Sequence, residues 1–139
     1  MYEYACKVKR VVDGDTVDVV LNLGFDIMYK SRVRLYGIDT PESRTRNLDE
    51  KARGKMAGAF LKNEIDSGKK VVIQTKLKDS RGKFGRVLGN IIVDGININQ
   101  LMIDNYHAAA YFGQSKEDIE AVHDANRTKL IELGLFKPV

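Results

Sequence analysis

The sequence is poor in residues that would staple or anchor a chain. Cys6 is its only cysteine, which excludes an intrachain disulfide, and two scattered histidines beside it offer no zinc-ligand spacing. A reducing compartment is compatible with this usage. No apolar run approaches the length of a bilayer span. The opening Met1-Tyr2-Glu3-Tyr4-Ala5 has neither a basic start nor an apolar stretch, so no signal peptide is expected in the sequence as it stands. Repeats, linkers and low-complexity tracts are also missing.

What is present is ordinary globular composition. The 139 residues are 43% hydrophobic and 30% charged, too apolar for disorder and enough to bury one core without disulfide or structural metal. A single domain over 1–139 is expected. The formal net charge of +4 favours polyanions over membranes, although many basic proteins bind no nucleic acid.

Periodicity organises the chain. Lys7 to Val12 reads as a strand, Asp13-Gly14 as a hairpin turn, and Val17, Val19, Leu21 and Leu23 alternate with polar neighbours as a half-buried second strand. A third strand, Met28 to Ile38, puts Val33 and Leu35 on one face and Arg32, Arg34 and Tyr36 on the other, ending at Pro41. A helix follows, with Asn47 and Glu50 in capping-box spacing, apolar positions at Ala52, Met56, Ala59 and Phe60, and a stop at Ser67-Gly68. Lys70 to Leu77 and Arg86 to Val93 read as two further strands. Ile98, Leu101 and Met102 show helical spacing, and Ser115 starts a last helix carrying Ile119, Val122, Asn126, Leu130 and Leu133 with Gly134 as C-cap. The order is that of a mainly β, α+β fold: a five-stranded OB-type barrel with one helix between strands three and four and two C-terminal helices.

Polar residues gather at three strand ends. The first group is Asp13-Gly14-Asp15-Thr16, where Asp13 suits turn geometry and Asp15, past the turn, can point into a shared cleft. The second, Arg34-Leu35-Tyr36-Gly37-Ile38-Asp39-Thr40-Pro41-Glu42, joins a guanidinium to two carboxylates within nine positions. A guanidinium matches phosphate oxygens, whereas carboxylates repel phosphate unless a cation bridges them or one serves as base. Their coexistence points to phosphate plus metal; a surface salt bridge from Arg34 to Asp39 or Glu42 is the bland alternative. The third group is Lys83-Phe84-Gly85-Arg86.

These groups, D-G-D-T, R-L-x-G-I-D-T-P-E and a later G-R, resemble the active-site segments of the thermonuclease (staphylococcal nuclease) family, from Lys7 to about Leu133. The resemblance implies a monomeric calcium-dependent nuclease that hydrolyses DNA and RNA, preferring single-stranded or melted regions and leaving 3′-phosphates. It implies Asp15, Asp39 and the Thr40 carbonyl as calcium ligands, Arg34 and Arg86 as phosphate-binding catalytic residues, and Glu42 as general base. Lys83, Phe84 and Tyr111 would meet the substrate. Phe84 stands where the family carries tyrosine, and Gly113 aligns with a second family tyrosine.

Tyr111 and Phe112 could equally plug the seam between barrel and helices, and His107 and His123 are expected to have packing or surface roles. Arg44, Arg46, Lys51 and Arg53 could steer a nucleic-acid backbone or merely solvate the helix. Two other functions remain open to the sequence: a non-catalytic OB module, and a phosphate-binding regulatory domain with structural calcium. Both arginines together with Glu42 favour catalysis.

Overall fold

The computed structural model describes residues 2–75 and 87–139. Strands β1 (Tyr2–Asp13), β2 (Thr16–Asn22) and β3 (Met28–Leu35) form an antiparallel meander. After β4 (Ile38–Asp39) comes α1 (Leu48–Asp66), then β5 (Val71–Thr75) and β6 (Val87–Val93). A stub β7 (Ile96–Asn97) leads into α2 (Ile98–Asp104), and β8 (Ala109–Ala110) precedes α3 (Lys116–Glu132).

The order β3-β2-β1-β5-β6 is closed by a parallel pairing of β3 with β6, which matches Val33 with Val87 and Leu35 with Gly89. This is the expected five-stranded barrel with three helices. Its interior follows from the period-two pattern: Val17, Val19, Leu21, Val33, Leu35, Ile73 and Ile91 point inward and are at most 3% exposed. Gly89 lets β6 lie close against β5, since a Cβ there would sit 2.8 Å from the Gln74 carbonyl oxygen. Asn99, only 3% exposed, fixes the seam from α2. Its amide donates to Tyr36 O, Gly89 O and Asn90 Oδ1, and its carbonyl accepts from Ile91 N–H. A buried amide so fully bonded ties helix, seam and the end of β3 together.

Three elements differ from the sequence reading. The third strand stops at Leu35, because Gly37 (φ 77°) turns the chain before it resumes as β4. β4 pairs with β8, Ile38 facing Ala110 and Asp39 facing Ala109. The fully buried positions of α1 are Gly54, Ala57, Leu61 and Ile65; of the apolar positions read from spacing, Phe60 packs partly buried against the core and Ala59 is exposed. Glycine occupies position 54 because the Pro41–Glu42 backbone lies against it: a Cβ on Gly54 would fall 2.6 Å from the Glu42 carbonyl carbon and oxygen. Half of the expected capping box forms. Asn47 accepts from Glu50 N–H, but the Glu50 carboxylate turns away and accepts from Glu42 N–H at 3.3 Å.

α3 docks largely through polar contacts. Leu130 is its buried apolar residue, while Arg127 makes a forked ion pair with Asp49 of α1 and Asn126 donates to Ala108 O. Gly134 (φ 73°) ends the helix as expected.

Candidate active site

Three chain segments meet at one mouth of the barrel. The β1–β2 turn supplies Asp15, whose carbonyl accepts from Leu35 N–H at 2.7 Å and so locks it beside the end of β3. β3 supplies Arg34, paired in register with Thr16. β4 holds Asp39 through its pairing with β8 and delivers Thr40, 5% exposed, against Gly14. Strand alternation puts Arg34 on the face opposite the buried Val33 and Leu35, which is why its head reaches the mouth.

The Arg34 guanidinium is shared by the two aspartates. Nη2 lies 3.4 Å from Asp15 Oδ2 and 3.8 Å from Asp39 Oδ1, and Nη1 donates to Leu35 O at 2.9 Å. Arg34 and Asp15 are mostly shielded, with side chains 18% and 16% exposed; of the two bridges in the bland reading, the one from Arg34 to Asp39 forms, with the Asp39 side chain 34% exposed. Two carboxylates thus converge on one positive charge.

Glu42 stands in the same field. Its carboxyl is pushed above the usual carboxylate range, by burial first and then by the charges of Asp15, Asp13, Asp39 and Glu50. Asp13 does more than turn the chain: its carboxylate accepts a hydrogen bond from the Ser43 hydroxyl, tying the first turn to the Glu42 segment. Arg53 pairs with Asp49 inside α1.

A groove of about 990 Å³ opens over this cluster. Arg34, Asp39, Thr40, Glu42, Leu88 and Tyr111 line it, with α3 as the far wall through Lys116, Ile119, Glu120 and His123. Asp15 reaches the groove through Arg34. Tyr111 and Phe112 are 45% and 81% exposed on its rim, so they do not plug the seam. Gly113 has φ 90°, a conformation in which tyrosine would be strained. Lys83, Phe84 and Arg86 lie outside the described residues.

One groove residue departs from expectation. His123 Nε2 donates to Asp39 Oδ2 at 2.8 Å, with a side chain 14% exposed. Its signal in the sequence was spacing, because Ile119, His123, Asn126 and Leu130 fall on one helix face. His107 does pack, its ring 4.6 Å from Phe60 and its pKa lowered by burial.

The donor set suits a hard cation. Asp15, Asp39 and the Thr40 carbonyl offer oxygens, and the carboxylates already face a cationic group. Among the described residues no three Asp, Glu, His or Cys side chains gather as a ligand cluster, so such an ion would also need substrate or water oxygens. No helix among them is long and apolar enough to cross a membrane.

The closed barrel with its carboxylate and guanidinium cluster defines an OB-type domain with a charged groove at one mouth. The chain belongs to the family described as staphylococcal nuclease homologue, whose profile matches residues 32–132. It is 35% identical over 129 residues to an uncharacterised protein of Bacillus anthracis, covering 88% of this chain and 58% of that one. Endonuclease YhcR of Bacillus subtilis is 31% identical over 116 residues, 79% of this chain and 9% of YhcR. The thermonuclease of Staphylococcus intermedius is 36% identical over 84 residues, 60% of this chain and 46% of that enzyme. The chain therefore spans less than two thirds of each of these relatives.

Proposed function

We propose that this domain is a calcium-dependent nuclease that hydrolyses phosphodiester bonds in DNA and RNA. The observation that carries the reading is the convergence of Asp15 and Asp39 on one guanidinium nitrogen of Arg34, with Arg34, Asp39 and Glu42 lining one groove. Family membership and the endonuclease and thermonuclease names of relatives support it.

Each side chain has a task suited to its chemistry. Asp15, Asp39 and the Thr40 carbonyl would hold calcium, which when bound neutralises phosphodiester charge. Arg34, anchored by the Leu35 carbonyl, donates to phosphate oxygens and strengthens those bonds as negative charge grows in the transition state. Arg86 is proposed as its counterpart. Glu42 accepts a proton from the attacking water, and its raised pKa makes it a better base than an ordinary glutamate. Tyr111 on the rim, with Lys83 and Phe84, would engage bases and backbone. Such stacking requires unpaired bases, which favours single-stranded or melted substrate with little sequence preference. Products ending in 3′-phosphate follow from the resemblance to thermonuclease, and monomeric action is the proposal for assembly state.

The test is cleavage of single-stranded DNA by purified protein in calcium, in magnesium and in chelator. Calcium should support turnover and chelator abolish it. Magnesium should give little, because its strict octahedral shell fits two carboxylates and a carbonyl poorly. Full activity in chelator would remove calcium from the mechanism, and no cleavage under any ion would favour a binding module.

A further inference from the structure

The contact between His123 and Asp39 joins residues 84 positions apart and divides the work of one carboxylate. Asp39 Oδ1 faces Arg34 at 3.8 Å, while Oδ2 receives the imidazole N–H at 2.8 Å. Asp39 sits on a two-residue strand and its side chain is 34% exposed, so the backbone alone does little to fix its rotamer. The helix does not need this histidine for docking. Arg127 to Asp49, Asn126 to Ala108 O and the buried Leu130 already hold α3.

We propose that His123 is a positioning residue for the calcium site: its imidazole N–H holds Oδ2 so that Asp39 presents its other oxygen toward the ion. This rests on the calcium reading above. An outer hydrogen bond of this kind removes carboxylate rotations that binding would otherwise have to freeze, and losing one lowers metal affinity by roughly 10–100-fold.

The test is calcium binding by calorimetry, without substrate, in the wild type, His123→Phe, His123→Gln and Asp39→Ala, alongside thermal midpoints. Phenylalanine keeps a ring but no donor, and glutamine keeps an N–H at similar reach on a flexible side chain. His123→Phe should weaken calcium binding about tenfold or more, and His123→Gln should recover most of the loss. Turnover of His123→Phe should recover as calcium is raised, whereas an effect on helix docking alone would lower the thermal midpoint and leave the isotherm unchanged. Wild-type calcium affinity in His123→Phe, or equal weakening in Phe and Gln variants, overturns the proposal. If Asp39→Ala binds calcium as the wild type does, the calcium reading itself fails, which is a distinct result. Where the variants do not fold, the imidazole nitrogen resonances of His123 in the wild type decide: they should shift on adding calcium, and resonances unmoved at saturation overturn the proposal.

Discussion

Replacing Gly54 by alanine tests whether the close approach of α1 to the Glu42 segment shapes the site. On helix propensity alone the change should help, by about 1 kcal/mol. The structure argues otherwise. The new methyl would lie 2.6 Å from Glu42 C and O and 2.7 Å from Pro41 O, all backbone atoms, where ordinary contact begins at 3.4 Å. Relief requires helix and loop to part by about 0.8 Å, and overpacking of this kind costs about 1–3 kcal/mol. With backbone on the receiving side, overpacking should outweigh propensity, for a net loss of up to about 2 kcal/mol and a thermal midpoint lower by up to about 8 °C. Displacing Glu42 by a large part of an ångström should lower turnover by about tenfold or more. Gly58 is the control. A methyl there meets only Gly14 N at 3.9 Å, so Gly58→Ala should gain about 1 kcal/mol and keep activity. Thermal melts and initial rates on single-stranded DNA at saturating calcium check both variants. A Gly54→Ala protein that is more stable than wild type and fully active would refute the reasoning.

Arg34→Ala should lower turnover by roughly two orders of magnitude, and Arg34→Lys should not restore it, because an ammonium lacks the planar fork that now spans Asp15, Asp39 and Leu35 O. Glu42→Gln should cut turnover while changing calcium affinity less than Asp39→Ala, as kinetics and calorimetry on the same preparations will show. Glu42 also carries a pH signature in the metal-free protein: a carboxyl whose folded pKa is raised adds stability when protonated and loses it as pH rises through that pKa. Glu42→Gln should therefore exceed the wild type in thermal midpoint at neutral pH, and the gap should close as pH falls below the ordinary carboxylate range. Asn99→Ala should cost about 2–3 kcal/mol in denaturant unfolding, because the Ile91 N–H that it caps is left buried without a partner.

The barrel was legible because its strands alternate cleanly and its turns carry glycine. The same alternation placed Arg34 opposite Val33 and Leu35. Asp15, Asp39 and Glu42 were legible as strand-end residues, and the structure gathers them with Arg34 and Tyr111 around one groove. α1 was misread on its buried face because glycine carries no hydrophobic signal: Gly54 is buried for the space it leaves. Glu50 looked like a cap because local spacing cannot show that the Glu42 amide lies nearer its carboxylate. β4 and β8 are two residues each, too short for any periodicity, yet their pairing sets Asp39. His123 escaped because its partner lies 84 positions away.

That separation, together with the β3–β6 seam, has a consequence for how the protein is made. Asp15, Arg34 and Asp39 leave the ribosome early, but Arg34 has no seam until residues 87–89 arrive, and Asp39 lacks β8 and His123 until later still. Chain-distant pairing of this kind is slow to form and cannot be anticipated locally. A growing domain therefore carries the proposed cleaving groups unassembled until its last helix has been made.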